Sequence, residues 1–169
     1  MDAIRVLVAE DDTAIRKCLL AVLKRDADVE VIDVCVTAAQ TAAALQRTSP
    51  DLLFLDVAMP GMSGFDILAC NDEDTHPEVI FIACSDRDAA RAFEVGALDY
   101  LVCPLTEQRI QRSLDRARTL IRLLDESGGA RSPDSNTMTH LFSNQEANEA
   151  TPAQQNGRYL NRVVVKSDE

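Results

Sequence analysis

The sequence predicts an α/β domain built on a doubly wound, five-stranded parallel sheet. Apolar runs of strand length recur at residues 4–9, 29–36, 52–55, 79–83 and 100–102, and a segment of helical character separates each from the next. The ends of these runs carry a second signal. Ile4-Arg5-Val6-Leu7-Val8-Ala9 stops at Glu10-Asp11-Asp12, and Leu52-Leu53-Phe54-Leu55 stops at Asp56. Buried strands that end in carboxylates put negative charge at the carboxyl edge of the sheet, where open α/β folds bind ligands.

The elements follow in chain order. After the first run, residues 14–24 space Ile15, Cys18, Leu19, Val22 and Leu23 on one helical face, and Asp12 or Thr13 can cap the start. Residues 37–46 are alanine-rich and opened by Thr37, a second helix. Residues 65–70 suit a short third helix. Residues 86–94 suit a fourth, with Ser85 as its N-cap and Gly96 beyond its end, where a left-handed residue is favoured. The fifth helix, residues 106–124, carries an apolar stripe of Ile110, Leu114, Ala117, Ile121 and Leu124. Arg109, Arg112, Arg116, Arg118 and Arg122 make its remaining surface basic, either a solvated face or a partner-binding one.

Beyond residue 124 the composition changes. Residues 125–157 are rich in Ser, Asn, Gln, Thr, Glu and Ala, too polar to offset the entropy of ordering, and read as a flexible linker. Tyr159-Leu160-Asn161-Arg162-Val163-Val164-Val165-Lys166 then looks like one strand opening something further.

Composition excludes several classes. The 169 residues accommodate one domain with a core plus a tail, and 46% hydrophobic content fits a globular chain. No apolar run reaches the roughly 20 residues that span a bilayer, and the amino terminus lacks a basic leader, so a cytoplasmic address with no membrane contact is expected. A net charge of −11 opposes nucleic-acid binding by this chain alone. Cys18, Cys35, Cys70, Cys84 and Cys103 show no metal-ligand spacing and read mostly as small core residues.

Like charges converging at one sheet edge repel unless a cation joins them. A hard divalent ion such as Mg²⁺, held by one or two carboxylates, a carbonyl and water, suits a cluster made by Glu10-Asp11-Asp12 and Asp56; carboxylates that merely cap helices and turns are the alternative. Val57-Ala58-Met59-Pro60-Gly61-Met62-Ser63-Gly64 is a preset turn that would hold Asp56 outward with the Ala58 carbonyl nearby.

Glu10-Asp11-Asp12, the stretch from Leu55-Asp56 through Met59-Pro60-Gly61-Met62-Ser63-Gly64, and Ala97-Leu98-Asp99-Tyr100-Leu101-Val102-Cys103-Pro104 together resemble the receiver domain of bacterial two-component response regulators. The resemblance covers residues 4 to about 124. It implies a flavodoxin-like sheet of strand order 2-1-3-4-5, a receiver spanning residues 1–124, and a signalling protein rather than an enzyme. Asp56 would be the phosphoacceptor, and Glu10, Asp11, Asp56 and the Ala58 carbonyl would hold Mg²⁺. A sensor histidine kinase would supply the phosphoryl group. Tyr100 would be the mobile aromatic of the switch, and the peptide before Pro104 would be cis.

Residues 92–101, Ala-Phe-Glu-Val-Gly-Ala-Leu-Asp-Tyr-Leu, resemble the subgroup joined to a LytTR-type DNA-binding domain, and residues 158–169 its truncated start. The full-length protein would then bind DNA and regulate transcription. A homodimer through the surface from Asp86 to Glu94, Tyr100 to Val102 and Thr106 to Leu124 is a further implication.

Two positions depart from the family pattern. Ala83 stands where receivers carry Thr or Ser, and Cys103 where they carry lysine. Loss of a charge-assisted bond to a buried anion costs roughly 1.5–3 kcal/mol, and loss of a neutral hydroxyl bond about 1 kcal/mol. Coupling of phosphorylation to a conformational change should therefore be weak. Ser85 could replace the hydroxyl, although N-capping is its simpler role. A pseudo-receiver, the same fold working as a phosphorylation-independent interaction module, is the leading alternative. With Ala83 leaving space, Tyr100 is expected to sit inward. If the fourth and fifth strands are neighbours, Cys84 and Cys103 end near each other, which allows a redox-responsive or metal-affecting site. A flavodoxin-like or haloacid-dehalogenase-like enzyme fits poorly: no glycine-rich phosphate loop follows a strand, and Ala58 stands where a second acid would be needed.

Overall fold

The computed structural model describes residues 3–70 and 77–126. Five strands, β1 (Ile4–Ala9), β2 (Val29–Cys35), β3 (Leu52–Asp56), β4 (Glu78–Ala83) and β5 (Asp99–Val102), form one sheet. The order is β2-β1-β3-β4-β5, and every neighbouring pair is parallel. Five helices connect and follow them: α1 (Thr13–Leu23), α2 (Ala38–Thr48), α3 (Gly64–Ala69), α4 (Ala89–Glu94) and α5 (Glu107–Glu126). The doubly wound sheet expected from the alternating runs is the fold observed.

The central strands are buried on both faces, which is why their sequences are continuously apolar rather than alternating. Leu7, Leu53, Leu55 and Phe81 face one core with Phe65, Ile67 and Ala92 from the helices on that side. Val6, Val8, Phe54, Ile80 and Ile82 face the other, against Leu19 and Leu23 of α1 and Ile110, Leu114 and Ala117 of α5. Full burial of each large aliphatic side chain contributes roughly 1.5–3 kcal/mol, so the two layers fix the strand ends that carry the carboxylates.

Several boundaries move for identifiable reasons. Asp12, not Thr13, caps α1: its Oδ1 accepts from the Ala14 and Ile15 N–H groups at 2.8 and 2.9 Å. Thr37 caps α2 as expected, and the helix runs two residues past 46 before Ser49 turns left-handed at φ 44°. Helix α4 begins at Ala89, three residues later than expected. Its preceding Asp88 makes no side-chain cap, so Ser85 is not the N-cap of this helix. The carbonyl of Ser85 instead accepts from the Tyr100 hydroxyl at 2.8 Å. Gly96 lies beyond α4 with φ 79°, as its position required.

The cysteine expectation is corrected. Cys35 is buried and Cys103 half-buried, whereas Cys18, Cys70 and Cys84 are exposed. On α1 the apolar face is Leu19, Val22 and Leu23; Cys18 sits at its margin, with its thiol 3.8 Å from the Leu105 carbonyl. On α5 the stripe includes Leu120 and Ser113, while Leu124 is only half-buried.

Much of the basic surface of α5 is used internally. Asp99, 1% exposed at the start of β5, receives both terminal nitrogens of Arg109 at 2.7 and 2.6 Å and the Ser113 hydroxyl at 2.6 Å. Arg116 approaches it at 3.5 Å. Burial alone would raise the Asp99 pKa, but these hydrogen bonds outweigh it and hold the carboxyl below its usual range. Arg118 pairs with Asp26 at 2.7 Å and Asp115 at 2.6 Å. Helix α5 is thereby anchored to β5 and to the loop before β2.

Among the described residues no helix is long and apolar enough to cross a membrane. Asp125 and Glu126 belong to α5 rather than to a linker. The remainder of the expected linker and the strand at residues 159–166 lie outside the described residues.

Candidate functional site

The carboxyl edge of the sheet brings Glu10 and Asp11, directly after β1, together with Asp56 at the end of β3. These two strands are hydrogen-bonded neighbours, with Ala9 paired to Leu55 in register. One ligand oxygen from each of Glu10, Asp11 and Asp56 lies within 4.8 Å of the others. Asp12, the third acid of the sequence run, is committed to capping α1.

The backbone around the cluster is tightly held. Arg16, on the first turns of α1, donates from one terminal nitrogen to the carbonyls of Glu10 and Asp11, both at 2.9 Å. Residue type and spacing alone do not mark it as a site residue; its role exists only once α1 folds back over its own entry loop. After β3, the Val57 N–H donates to the Ile82 carbonyl and the Gly64 N–H to that of Val57, which closes the turn that sequence predicts.

Gly64 is required by close approach. A Cβ there would lie 2.6 Å from the Asp56 carbonyl oxygen, 3.1 Å from a Leu55 side-chain carbon and 3.2 Å from the Phe81 ring. A backbone carbonyl in a fully buried strand cannot retreat cheaply. Gly64→Ala is therefore expected to lower stability by about 1–3 kcal/mol, read as a fall in the denaturant midpoint at unchanged slope. An unchanged midpoint would show that α3 is free to shift.

Burial and mutual repulsion dominate the electrostatics of the cluster. Glu10 is buried; its Oε1 accepts from the Asp12 N–H at 3.0 Å, and its Oε2 has no hydrogen-bond partner. Burial, then the nearby Asp56 charge, push its pKa up to about 7. Asp56 is 8% exposed. Burial raises its pKa, the Ala58 N–H bonded to Oδ1 at 2.9 Å opposes the rise, and the neighbouring Asp11 carboxyl adds to it. An orphaned buried carboxylate oxygen beside two further carboxylates fits a hard divalent cation, whose charge would relieve both the burial cost and the repulsion.

The remaining predicted positions surround this cluster. Ala83 ends β4, buried and paired with Val102, and offers no hydroxyl. Cys103 follows β5; its N–H donates to the Ala83 carbonyl at 2.9 Å. Burial, and then Cys84, push its thiol up to about 11. The peptide between Cys103 and Pro104 is cis, as the resemblance implied. Tyr100 is turned inward, nearly buried against Ala83 and Ala92, and its hydroxyl is held by Ser85. Burial raises its pKa as well.

The sequence profile of the response regulator receiver domain matches residues 6–115. The transcriptional regulatory protein BtsR of Salmonella typhi is 36% identical over 115 residues, 68% of this chain and 48% of that protein. An uncharacterised response regulatory protein of Shewanella oneidensis is 35% identical over 115 residues, 68% of this chain and 49% of its own length. The chain thus spans about half the length of the curated relatives it matches. Among solved structures, the signal receiver domain of a putative LuxO repressor protein from Vibrio parahaemolyticus superposes with TM-score 0.67 at 28% identity. That match covers 75% of this chain and 98% of the other. The fold, the carboxylate cluster at its carboxyl edge and the matched profile agree, and the chain belongs to the response regulator receiver domain family.

Proposed function

We propose that this domain is a phosphorylatable signal receiver, with Asp56 as the acceptor and a sensor histidine kinase as the donor. The observation that carries this reading is the convergence of Glu10, Asp11 and Asp56 within 4.8 Å, with Glu10 Oε2 buried and unpartnered. Glu10, Asp11, Asp56 and the Ala58 carbonyl would hold Mg²⁺. That ion would supply charge neutralisation for a phosphoryl group meeting a carboxylate nucleophile. Asp56 attacks the phosphorus as nucleophile, the donor's leaving group departs with its electron pair, and an acyl phosphate remains on the aspartate. Arg16 keeps the Glu10 and Asp11 backbone in place, and Gly64 lets α3 begin against the Asp56 carbonyl.

In this reading the chain works in the cytoplasm as a switch rather than as an enzyme acting on an external substrate. Its output would be a LytTR-type DNA-binding domain beginning near residue 158, through which the whole protein regulates transcription. The similarity to regulators named as transcriptional supports the class of output. Phe93, Val95 and Val102 are 54%, 52% and 42% exposed on and beside α4 and β5. They suit the expected homodimer surface, which also takes in α5.

A second reading, the pseudo-receiver, is favoured by Ala83, Cys103 and the inward Tyr100. One experiment separates the two: intact mass after incubation with Mg²⁺ and acetyl phosphate, followed over time, with Asp56→Ala as control. A single phosphoryl adduct that Asp56→Ala abolishes is expected. No adduct on folded protein would leave the pseudo-receiver as the function.

A further inference from the structure

Cys84 and Cys103 are the next residues beyond the last paired positions of β4 and β5, Ala83 and Val102. The hydrogen bond from the Cys103 N–H to the Ala83 carbonyl at 2.9 Å carries the parallel register on to this pair. Adjacent parallel strands lie about 4.8 Å apart, inside the Cα separation that a disulfide bridges, roughly 4.4–6.8 Å. Alternation along the strands sends both thiols to the same side. Ile82 and Leu101 face the α1 and α5 layer, and Cys103, two residues after Leu101, packs against that same cluster. Cys84, two residues after Ile82 and opposite Cys103 in the continued register, follows suit, and it lies close enough to help raise the Cys103 thiol.

We infer that Cys84 and Cys103 form a dithiol site that hydrogen peroxide converts reversibly into a disulfide joining the ends of β4 and β5. Their accessibilities divide the work. Cys84 is exposed and meets the oxidant; Cys103 is half-buried behind it. The Cys84 sulfur attacks one peroxide oxygen, the O–O bond breaks, and a sulfenic acid and one water result. The Cys103 sulfur then attacks the Cys84 sulfur, the S–O bond breaks, and the hydroxyl leaves with the Cys103 proton as a second water. Two thiols are oxidised, one peroxide is reduced, and a dithiol reductant reverses the change.

The other described cysteines have no such neighbour in the sheet. Cys35 is buried at the end of β2, next to β1, whose paired residue is Ala9. Cys18 lies on α1 with its thiol on the Leu105 carbonyl, and Cys70 caps the end of α3. The link would tie the segment carrying Ser85, which already accepts the Tyr100 hydroxyl, to the end of β5 beside the carboxylate cluster. Oxidation of the pair does not depend on phosphorylation of Asp56.

The test is mass spectrometry of the full chain after brief exposure to hydrogen peroxide, with remaining thiols alkylated and no reductant. The expected result is loss of two hydrogens, a cross-linked peptide pair containing Cys84 and Cys103, and full reversal by dithiothreitol. Cys84→Ser should abolish the link. Cys103→Ser should leave a trappable sulfenic acid or mixed disulfide on Cys84. A chain in which Cys84 overoxidises while Cys103 is alkylated, or in which another pair links first, would overturn the assignment. Circular dichroism of both variants separates loss of the link from loss of the fold.

Discussion

Restoring the two missing phosphoryl contacts by Ala83→Thr together with Cys103→Lys is expected to tighten binding of a phosphoryl mimic by about 100- to 1000-fold. The probe is beryllofluoride in saturating Mg²⁺, titrated by calorimetry. A lysine at 103 would supply a charge-assisted bond worth roughly 1.5–3 kcal/mol, and a threonine at 83 about 1 kcal/mol. The two positions sit at the adjoining ends of β4 and β5, where the Cys103 N–H meets the Ala83 carbonyl; Ala83 packs on the α3 and α4 side of the sheet and Cys103 on the α1 and α5 side, so the two new groups would reach the carboxyl edge from opposite faces. The single substitutions should rank with lysine well above threonine. Equal affinity for all four chains would mean that a group already present, such as the Ser85 hydroxyl, substitutes for the missing contacts. Part of the gain from Ala83→Thr will be offset by the space the larger side chain takes from Tyr100, which packs in the same buried cluster.

That Tyr100 is already inward bears on the switch. Its hydroxyl is fastened to Ser85 without any phosphoryl group on Asp56. In a domain where inward rotation is the response to phosphorylation, a residue that starts inward leaves little of the response to come. Ala83 contributes by offering no side chain beyond Cβ to contest the space. The double substitution should therefore lengthen the bound lifetime of the mimic more than it changes the structure around Tyr100.

The parts of this fold that depend on burial alone are readable from the chain. Leu52 to Leu55 and Val79 to Ala83 are apolar throughout because they lie between two helical layers, and the carboxylates that end β1 and β3 mark the edge of the sheet. Features that depend on tertiary approach are not. Nothing local to Arg16 reveals that its guanidinium closes over the Glu10 and Asp11 carbonyls, and nothing around Gly64 says that the Asp56 carbonyl stands where a Cβ would go. Ser85-Asp86-Arg87-Asp88 offers good capping residues, so sequence pattern extends α4 too far forward. Tyr100 instead draws the Ser85 carbonyl into a tertiary hydrogen bond. The basic face of α5 reads as a surface; Asp99, buried at the start of β5, turns part of it into an internal anchor.

In metal-free protein, Glu10→Gln is expected to stabilise the fold at pH 8 by about 3 kcal/mol and to change little at pH 4. The sign follows from the direction of the shift. Glu10 titrates near 4.5 when unfolded and at about 7 when folded. Below about pH 4.5 both states hold the proton, and the wild-type gains as much from folding as the neutral amide does. Between about pH 4.5 and 7 the native state holds a proton that the unfolded chain has released, so wild-type stability falls as pH rises. Above about pH 7 the native chain carries the buried charge, with one oxygen unpartnered, at full cost. Glutamine keeps an oxygen for the Asp12 N–H and presents an amide donor toward the Asp11 and Asp56 carboxylates. Saturating Mg²⁺ should reverse the order at pH 8, because the ion stabilises the chain that retains all three carboxylates and binds the variant more weakly. Urea midpoints of both chains at pH 4, 6 and 8, with Mg²⁺ and with a chelator, check the whole pattern. A difference independent of pH would place the Glu10 carboxyl in contact with water and remove the reason for a cation at this site.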